Sequence, residues 1–288
     1  METGSSPQKT AIICMGGGMR SAHAAGFLYS WAKGGLPSPD MIIGTSGSAG
    51  TATYFAAGQY ESIKNVWCER LCTKDFVSFT RLGKILDIDY LVDSIFKKQE
   101  RLDTEKLAAS PMTCLVPLTD AETGKTDYMD MRHTSEPFEV LRAAKAIPVF
   151  YGKKTYVHKR AYIDGEVGPT INDHVDFCIT RGATRILVIN DARLPSRLSS
   201  MLKFIFAGFQ RKPIRDAMFH DFLTNGFVCT TGPLGTEVMC VFPGALPVSF
   251  ITTQREKLHA TFARGEERAQ ELKDELQRFF TVEKENTL

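Results

Sequence analysis

Residues 41–57 read Met-Ile-Ile-Gly-Thr-Ser-Gly-Ser-Ala-Gly-Thr-Ala-Thr-Tyr-Phe-Ala-Ala. The apolar run from Met41 to Thr45 predicts a short buried strand, and the small residues from Ser48 to Ala57 predict a helix closed by Gly58. A strand that runs through a serine into a helix is the layout that presents a hydroxyl on a sharp turn. The backbone at such a serine is strained, so its neighbours two before and two after must be small. The helix that follows turns its partial positive end toward developing negative charge. Two registers are open. Centred on Ser46, the motif is Gly-Thr-Ser-Gly-Ser and lacks the last glycine; centred on Ser48, it is Ser-Gly-Ser-Ala-Gly and lacks the first. The strand favours Ser46, the first residue past its end. The competing reading is an ordinary serine N-cap.

The flanks extend the pattern. Residues 11–15 predict a buried strand stopped by Gly16-Gly17-Gly18. Residues 20–33 then predict a helix with Ala22, Ala25, Leu28 and Ala32 on one face, ended by Gly34-Gly35 and kept ended by Pro37 and Pro39. Strand, turn and helix, twice over, imply a parallel sheet with right-handed crossovers. Further strands are expected at 161–163, 185–190 and 238–242, the end of a helix at 142–147, and helices at 172–181 and 255–280. In the last, Leu258, Phe262, Leu272, Leu276 and Phe279 are candidate inner positions. Residues 60–140 show no clear period. The expected fold class is α/β, with helices on both faces of the sheet.

Composition narrows the function classes. Hydrophobic content of 43% and charged content of 24% exclude a disordered or fibrous chain. The 35 basic and 33 acidic residues leave a net charge of only +2, which argues against nucleic acid as the main partner. The seven cysteines are scattered, several in apolar runs, and are expected to be buried reduced thiols of a cytoplasmic protein. Cys68 and Cys72, four apart with no histidine pair beside them, support a zinc site only weakly. Residues 1–10 are polar, without the apolar core of a signal peptide, and no run of ~18 apolar residues exists to span a membrane.

Gly16-Gly17-Gly18-Met19-Arg20, between strand and helix, removes side chains where the backbone must turn and come close to something. Its amides suit an anion. A dinucleotide phosphate is one candidate. However, Gly-x-Gly-x-x-Gly needs a glycine where Ser21 stands, and Thr45 and Ser46 stand where a ribose-binding acid would. Asp164-Gly165, past the strand at 161–163, is expected at the same sheet edge. Six histidines (23, 133, 158, 174, 220 and 259) are available, and no motif places any of them. His23, one helical turn past the glycines, is the candidate that could approach the pocket. The expected base for a serine nucleophile is therefore Asp164 itself.

A glycine-rich turn, then Gly-x-Ser at a strand end, then Asp-Gly: the ordered set resembles the patatin-like phospholipases, over roughly residues 9–280. Within that family the chain is similar to small cytoplasmic bacterial members. Further resembling stretches are Asp87-Ile88-Asp89-Tyr90-Leu91-Val92, Arg142-Ala143-Ala144-Lys145-Ala146-Ile147-Pro148 and Arg181-Gly182-Ala183. The resemblance implies a single domain over 9–280, a three-layer α/β/α sandwich with a mostly parallel sheet. Residues 1–8 would be disordered, and 281–288 would form a tail. It implies a lipid acyl hydrolase with Ser46 as nucleophile, Asp164 as base, and the amides of Gly16, Gly17, Gly18 and Met19 as oxyanion hole. Arg20 would bind substrate or orient the loop, the substrate would be a lipid ester, and neither metal nor cofactor is implied. Ser46 matches the family's nucleophile in its spacing from Gly16 and in the Gly58-Gln59 that follows. Three positions depart from the pattern. Ser21 and Ser48 replace glycines, and Glu166 replaces a small residue, placing a second carboxylate where it would raise the pKa of Asp164. These departures motivate an alternative, a catalytically weak or inactive member of the fold that binds acyl lipid.

Residues 196–215 carry Leu198, Met201, Leu202, Ile205 and Phe209 at helical spacing, flanked by Arg197, Lys203, Arg211, Lys212 and Arg215. Such a segment fits peripheral contact with an anionic bilayer, or a core helix with a basic edge. The interfacial reading predicts that replacing Lys203, Arg211 and Lys212 by Gln weakens co-sedimentation with anionic vesicles at unchanged thermal stability. Equal sedimentation with neutral and anionic vesicles contradicts it.

Overall fold

Lys9–Cys14, the apolar run before the three glycines, is the central strand β1. In the computed structural model, residues 9–281 are described except 79, 82–84, 148–150, 152, 192–207, 209, 225–234 and 253. After β1 come α1 (Ala22–Lys33), β2 (Met41–Gly44), α2 (Ala49–Ala56) and α3 (Tyr60–Asn65). Two π-helical segments, Val66–Arg70 and Tyr90–Gln99, lead to α4 (Thr104–Ala108), β3 (Thr113–Asp120), β4 (Thr126–Asp130) and α5 (Pro137–Ala143). The chain continues through β5 (Thr155–Val157), β6 (Arg160–Asp164), α6 (Ile171–Thr180) and β7 (Ala183–Ile189). It closes with α7 (Lys212–Thr224), β8 (Glu237–Val241), α8 (Arg255–Glu271) and α9 (Lys273–Phe280).

Among the described residues, one sheet holds all eight strands. β1 pairs in parallel with β2 and β7, β2 with β3, and β7 with β8. The expected α/β class and mostly parallel sheet are present. Strand residues alternate between two cores, as a strand with both faces covered requires. Ile12, Cys14, Ile42, Cys114, Leu187 and Ile189 pack with residues of α1, α2 and α8. Ala11, Ile13, Met41, Ile43, Leu115 and Val188 pack with Val175 and Cys178 of α6.

The parallel repeat does not extend to the strand before Asp164: β6 runs antiparallel to β3. The reason lies in the edges of β3. β4 runs along one edge over residues 115–119. β2 pairs with residues 113–115 and β6 with residues 118–120, and both share partners with β4, so both lie on the opposite edge. β6 takes over that edge where β2 leaves it, running the other way. The C-terminal ends of β2 and β6 therefore point at one another.

Two further expectations are corrected. The helix expected over 255–280 is two helices, because Leu272 sits at φ −95° and ψ 3° between α8 and α9. The break lets Phe280 meet Trp31 edge-on, with ring centroids 4.8 Å apart. Cys240 is disulfide-bonded. Cys14, Cys68, Cys72, Cys114 and Cys178 are free, as expected. The expectations for residues 1–8, for 282–288 and for most of 196–215 fall outside the described residues. Among the described residues, no helix is long and apolar enough to cross a membrane.

α1 and α8 cross at two glycines. A Cβ on Gly26 would collide with the Phe262 carbonyl oxygen, and one on Gly265 with the His23 carbonyl oxygen. Alanine in a helix interior gains about 1 kcal/mol over glycine in propensity. Overpacking against backbone that cannot swing aside costs about 1–3 kcal/mol. Gly265→Ala is therefore expected to lower the thermal midpoint despite its better helix former; an unchanged or raised midpoint would show that the helices part freely.

Candidate active site

The facing ends of β2 and β6 bring Ser46 and Asp164 together: Ser46 Oγ donates to Asp164 Oδ2 at 2.7 Å. Both side chains are buried. Ser46 lies in the left-handed region at φ 44°, a conformation that a non-glycine residue adopts only when its surroundings hold it there. Three glycines provide the room. A Cβ on Gly16 would come within 2.5 Å of Ser46 Cβ, one on Gly44 within 2.5 Å of Ala52 Cβ, and one on Gly47 within 2.6 Å of Ser21 Oγ. Asp164 is fixed by the Glu166 amide, which donates to Oδ1 at 2.9 Å. Gly165 is required between them, because a Cβ there would run into the Pro117 carbonyl of β3.

Of the two serines, Ser46 is the one that meets Asp164. Ser48 is buried and donates its hydroxyl to the Met15 carbonyl at 2.9 Å, tying α2 to the end of β1. A serine replaces the expected glycine there with a satisfied hydrogen bond. Ser21, the other serine for glycine, buries its hydroxyl against Gly47 without a hydrogen-bond partner.

The glycine turn is more committed than its sequence suggests. The Gly16 amide donates to Thr45 Oγ1 at 2.7 Å and to Glu166 Oε1 at 2.5 Å. The Met19 amide donates to the Phe250 carbonyl at 2.9 Å. Gly18 stands at φ 59°, where a Cβ would strike the same carbonyl. Of the four amides expected to face an oxyanion, those of Gly16 and Met19 are therefore engaged within the protein. Arg20 likewise departs from a substrate-binding role. It is buried, its Nε donates to the Asp191 carbonyl at 2.8 Å, and it does not line the cavity beside Ser46. It braces the turn against the end of β7.

No described histidine hydrogen-bonds to Ser46. His23 is buried and meets Asp191 Oδ1 through Nδ1 at 2.8 Å. His174 bonds the Tyr128 hydroxyl, and His259 the Cys68 carbonyl. His133 and His158 are exposed. Among the described residues, no three His, Cys, Asp or Glu side chains are grouped as metal ligands.

A cavity opens beside Ser46, between the glycine turn, α2 and the π-helical segments. Gly50, Trp67, Leu71, Phe76, Ile88 and Phe96 are among the mostly apolar residues that line it. Among the described residues, one that lines it is charged: Lys145, just past α5, buried, with Nζ donating to the Ser46 carbonyl at 2.6 Å. Sequence reasoning quoted Lys145 only as part of a resembling stretch. The available signal was a lone cation inside Ala-Ala-Lys-Ala-Ile. Burial pushes Asp164 up to about 7, with the Glu166 carboxylate adding to the rise. Burial pushes Lys145 down to about 8, against the pull of Asp164 and Glu166.

The sequence profile of the patatin-like phospholipases matches residues 12–172, which carry Gly16, Ser46, Lys145 and Asp164. The chain belongs to the patatin-like phospholipase family. Members of this family are typically lipid hydrolases. An uncharacterized protein of Escherichia coli K12, YjjU, is 25% identical over 197 residues, 67% of this chain and 54% of the relative, so the chain spans about half that protein's length. Among solved structures, VipD from Legionella pneumophila superposes with a TM-score of 0.53 over 94% of this chain and 68% of its own, at 13% identity. The two share a fold.

The raised pKa of Asp164 has a consequence for stability. Between its unfolded value near 4 and about 7 the folded state binds more protons than the unfolded one, so this group lowers stability as pH rises across that window. Asp164→Asn removes the penalty and is expected to stabilise the protein at pH 8, by on the order of 2–4 kcal/mol, with little effect at pH 4. Thermal midpoints across pH check this; an equal effect at both pH values contradicts the assignment.

Proposed function

We propose that the protein is a serine lipid acyl hydrolase that cleaves carboxylic esters through Ser46 and Asp164. The observation that carries the reading is the 2.7 Å hydrogen bond between Ser46 and Asp164 beside an apolar cavity. An acyl chain fits such a cavity because burying each methylene contributes about 0.8 kcal/mol.

The reaction is two-step acyl transfer. Asp164, as the carboxylate, takes the Ser46 proton while Oγ attacks the ester carbonyl. The tetrahedral oxyanion rests on the amides of Gly17 and Gly18, at roughly 3–4 kcal/mol per donor in other hydrolases. Asp164 returns the proton to the leaving alcohol. Water, deprotonated by the same carboxylate, then releases the fatty acid. A base near neutrality is both abundant and strong enough at physiological pH, and burial has moved Asp164 toward that value.

The second reading, a patatin fold that binds acyl lipid without turning it over, is favoured by one observation. Glu166 takes the Gly16 amide, narrowing the oxyanion site. Incubation with a mixed lipid extract, followed by mass spectrometry of released fatty acids, separates the two. Hydrolysis is expected in the wild type, a loss of about 10³-fold or more in Ser46→Ala, and retention in Ser48→Ala. Lipid that co-purifies or binds unchanged supports the binder, and loss confined to Ser48→Ala moves the nucleophile.

A further inference from the structure

The site holds a half-buried carboxylate, Glu166, and a buried amine, Lys145, for which neither step of the proposed reaction has a use. They are chemically matched. Glu166 Oε1 accepts from the Gly16 amide at 2.5 Å and from Thr45 Oγ1 at 3.0 Å, directly under the Ser46 turn. Lys145 Nζ donates to the carbonyl of Ser46 at 2.6 Å. The charges acting on Lys145 are Asp164 and Glu166, both attractive. Those acting on Asp164 are Glu166, repulsive, and Lys145, attractive. Arg142, one turn earlier on α5, is committed elsewhere, to Asp89, Asp93 and Glu139.

We infer that Lys145 is a positioning residue paired with Glu166. Its ammonium balances the second carboxylate, keeps Asp164 ionised against the Ser46 hydroxyl, and holds the Ser46 carbonyl so that the left-handed turn persists. This inference rests on Ser46 and Asp164 being the reacting pair. Three lines of physical reasoning support it. First, two carboxylates two residues apart, one buried and one half-buried, repel, and a cation beside them favours the ionisation of both. Second, a buried lysine is costly without opposite charge nearby; its hydrogen bond to one neutral carbonyl supplies none, and the carboxylates of Asp164 and Glu166 are the charges that attract it. Third, Gly16 lets Glu166 in. A Cβ there would come within 2.7 Å of its carboxylate, so the glycine serves the charge as well as the turn. The added negative charge of Glu166 is thus tolerable because Lys145 is present.

The test is a cycle on the full chain: Lys145→Met, Lys145→Arg, Glu166→Gln and the double variant Lys145→Met/Glu166→Gln. Activity is read as the pH dependence of kcat/KM on a soluble ester. Removing the cation makes the Asp164 carboxylate harder to form. The acid limb of the Lys145→Met profile is therefore expected to move up by one pH unit or more, a loss of about tenfold at neutral pH. Glu166→Gln moves the limb down, because its amide oxygen still accepts the two hydrogen bonds while its charge is gone. The double variant returns the limb to near the wild-type position, and Lys145→Arg keeps most of the wild-type profile. An acid limb that stays in place in Lys145→Met, or a double variant no better than the single one, overturns the inference and leaves Lys145 a packing residue.

Thermal stability across pH supplies a readout independent of turnover. Lys145→Met should lose most stability above pH 7, and adding Glu166→Gln should recover it. Additive effects in that cycle overturn the charge pairing. Coupled stability without any ester hydrolysis in the wild type upholds the pairing and removes only the hydrolase reading.

Discussion

Everything at this site depends on crowding at one turn. Ser46 adopts φ 44° because β1 and β2 end side by side and α2 starts at once, leaving no room for an extended exit. Gly16, Gly44 and Gly47 each lack a Cβ that would come within about 2.6 Å of a neighbour at this point. A left-handed residue without glycine's freedom costs of order 1–3 kcal/mol, and it persists only where packing over-determines it. Here both cores of the sheet and the Ser48 bond to Met15 supply that packing. The strain has one product: the hydroxyl of Ser46 is turned out of the sheet toward the end of β6.

The second constraint is topological. A fully parallel continuation would have left Asp164 at a strand end of its own, beside β2 rather than facing it. Because β6 shares an edge of β3 with β2 and runs the other way, the two ends converge, and a 2.7 Å hydrogen bond closes the gap. Pro117 falls in the interval between the two pairings and has no amide to leave unsatisfied there. Gly165 clears its carbonyl. These two residues are unremarkable as sequence and decisive as geometry.

Much of this was legible. Ser46, Gly44 and the first two strand–helix units follow from short apolar runs broken by small residues, which is the strongest local signal a chain carries. Asp164 was legible as a motif but not in its direction, since the polarity of a short strand is set by non-local pairing. The strand Thr113–Asp120 escaped because its burial on both faces erases the period-two alternation, while Pro117 argues against a strand. Lys145 escaped for a different reason. A lone lysine reads as a solvated edge, and only the fold reveals that it ends buried against the Ser46 carbonyl. The engaged amides of Gly16 and Met19 depend on Glu166 and Phe250, far away in sequence, so local reading of the glycine turn overstated its open donors.

The proposed hydrolysis requires that strain and burial make the Ser46 hydroxyl a nucleophile. Its most direct measurement is reaction of the folded protein with a fluorophosphonate at pH 8, read by intact mass and then by peptide mapping. The account predicts one adduct per chain, on the peptide containing Gly44 to Gly50 and localised by fragmentation to Ser46, and none after denaturation. An adduct on Ser48, or a folded protein that stays unlabelled, would contradict it.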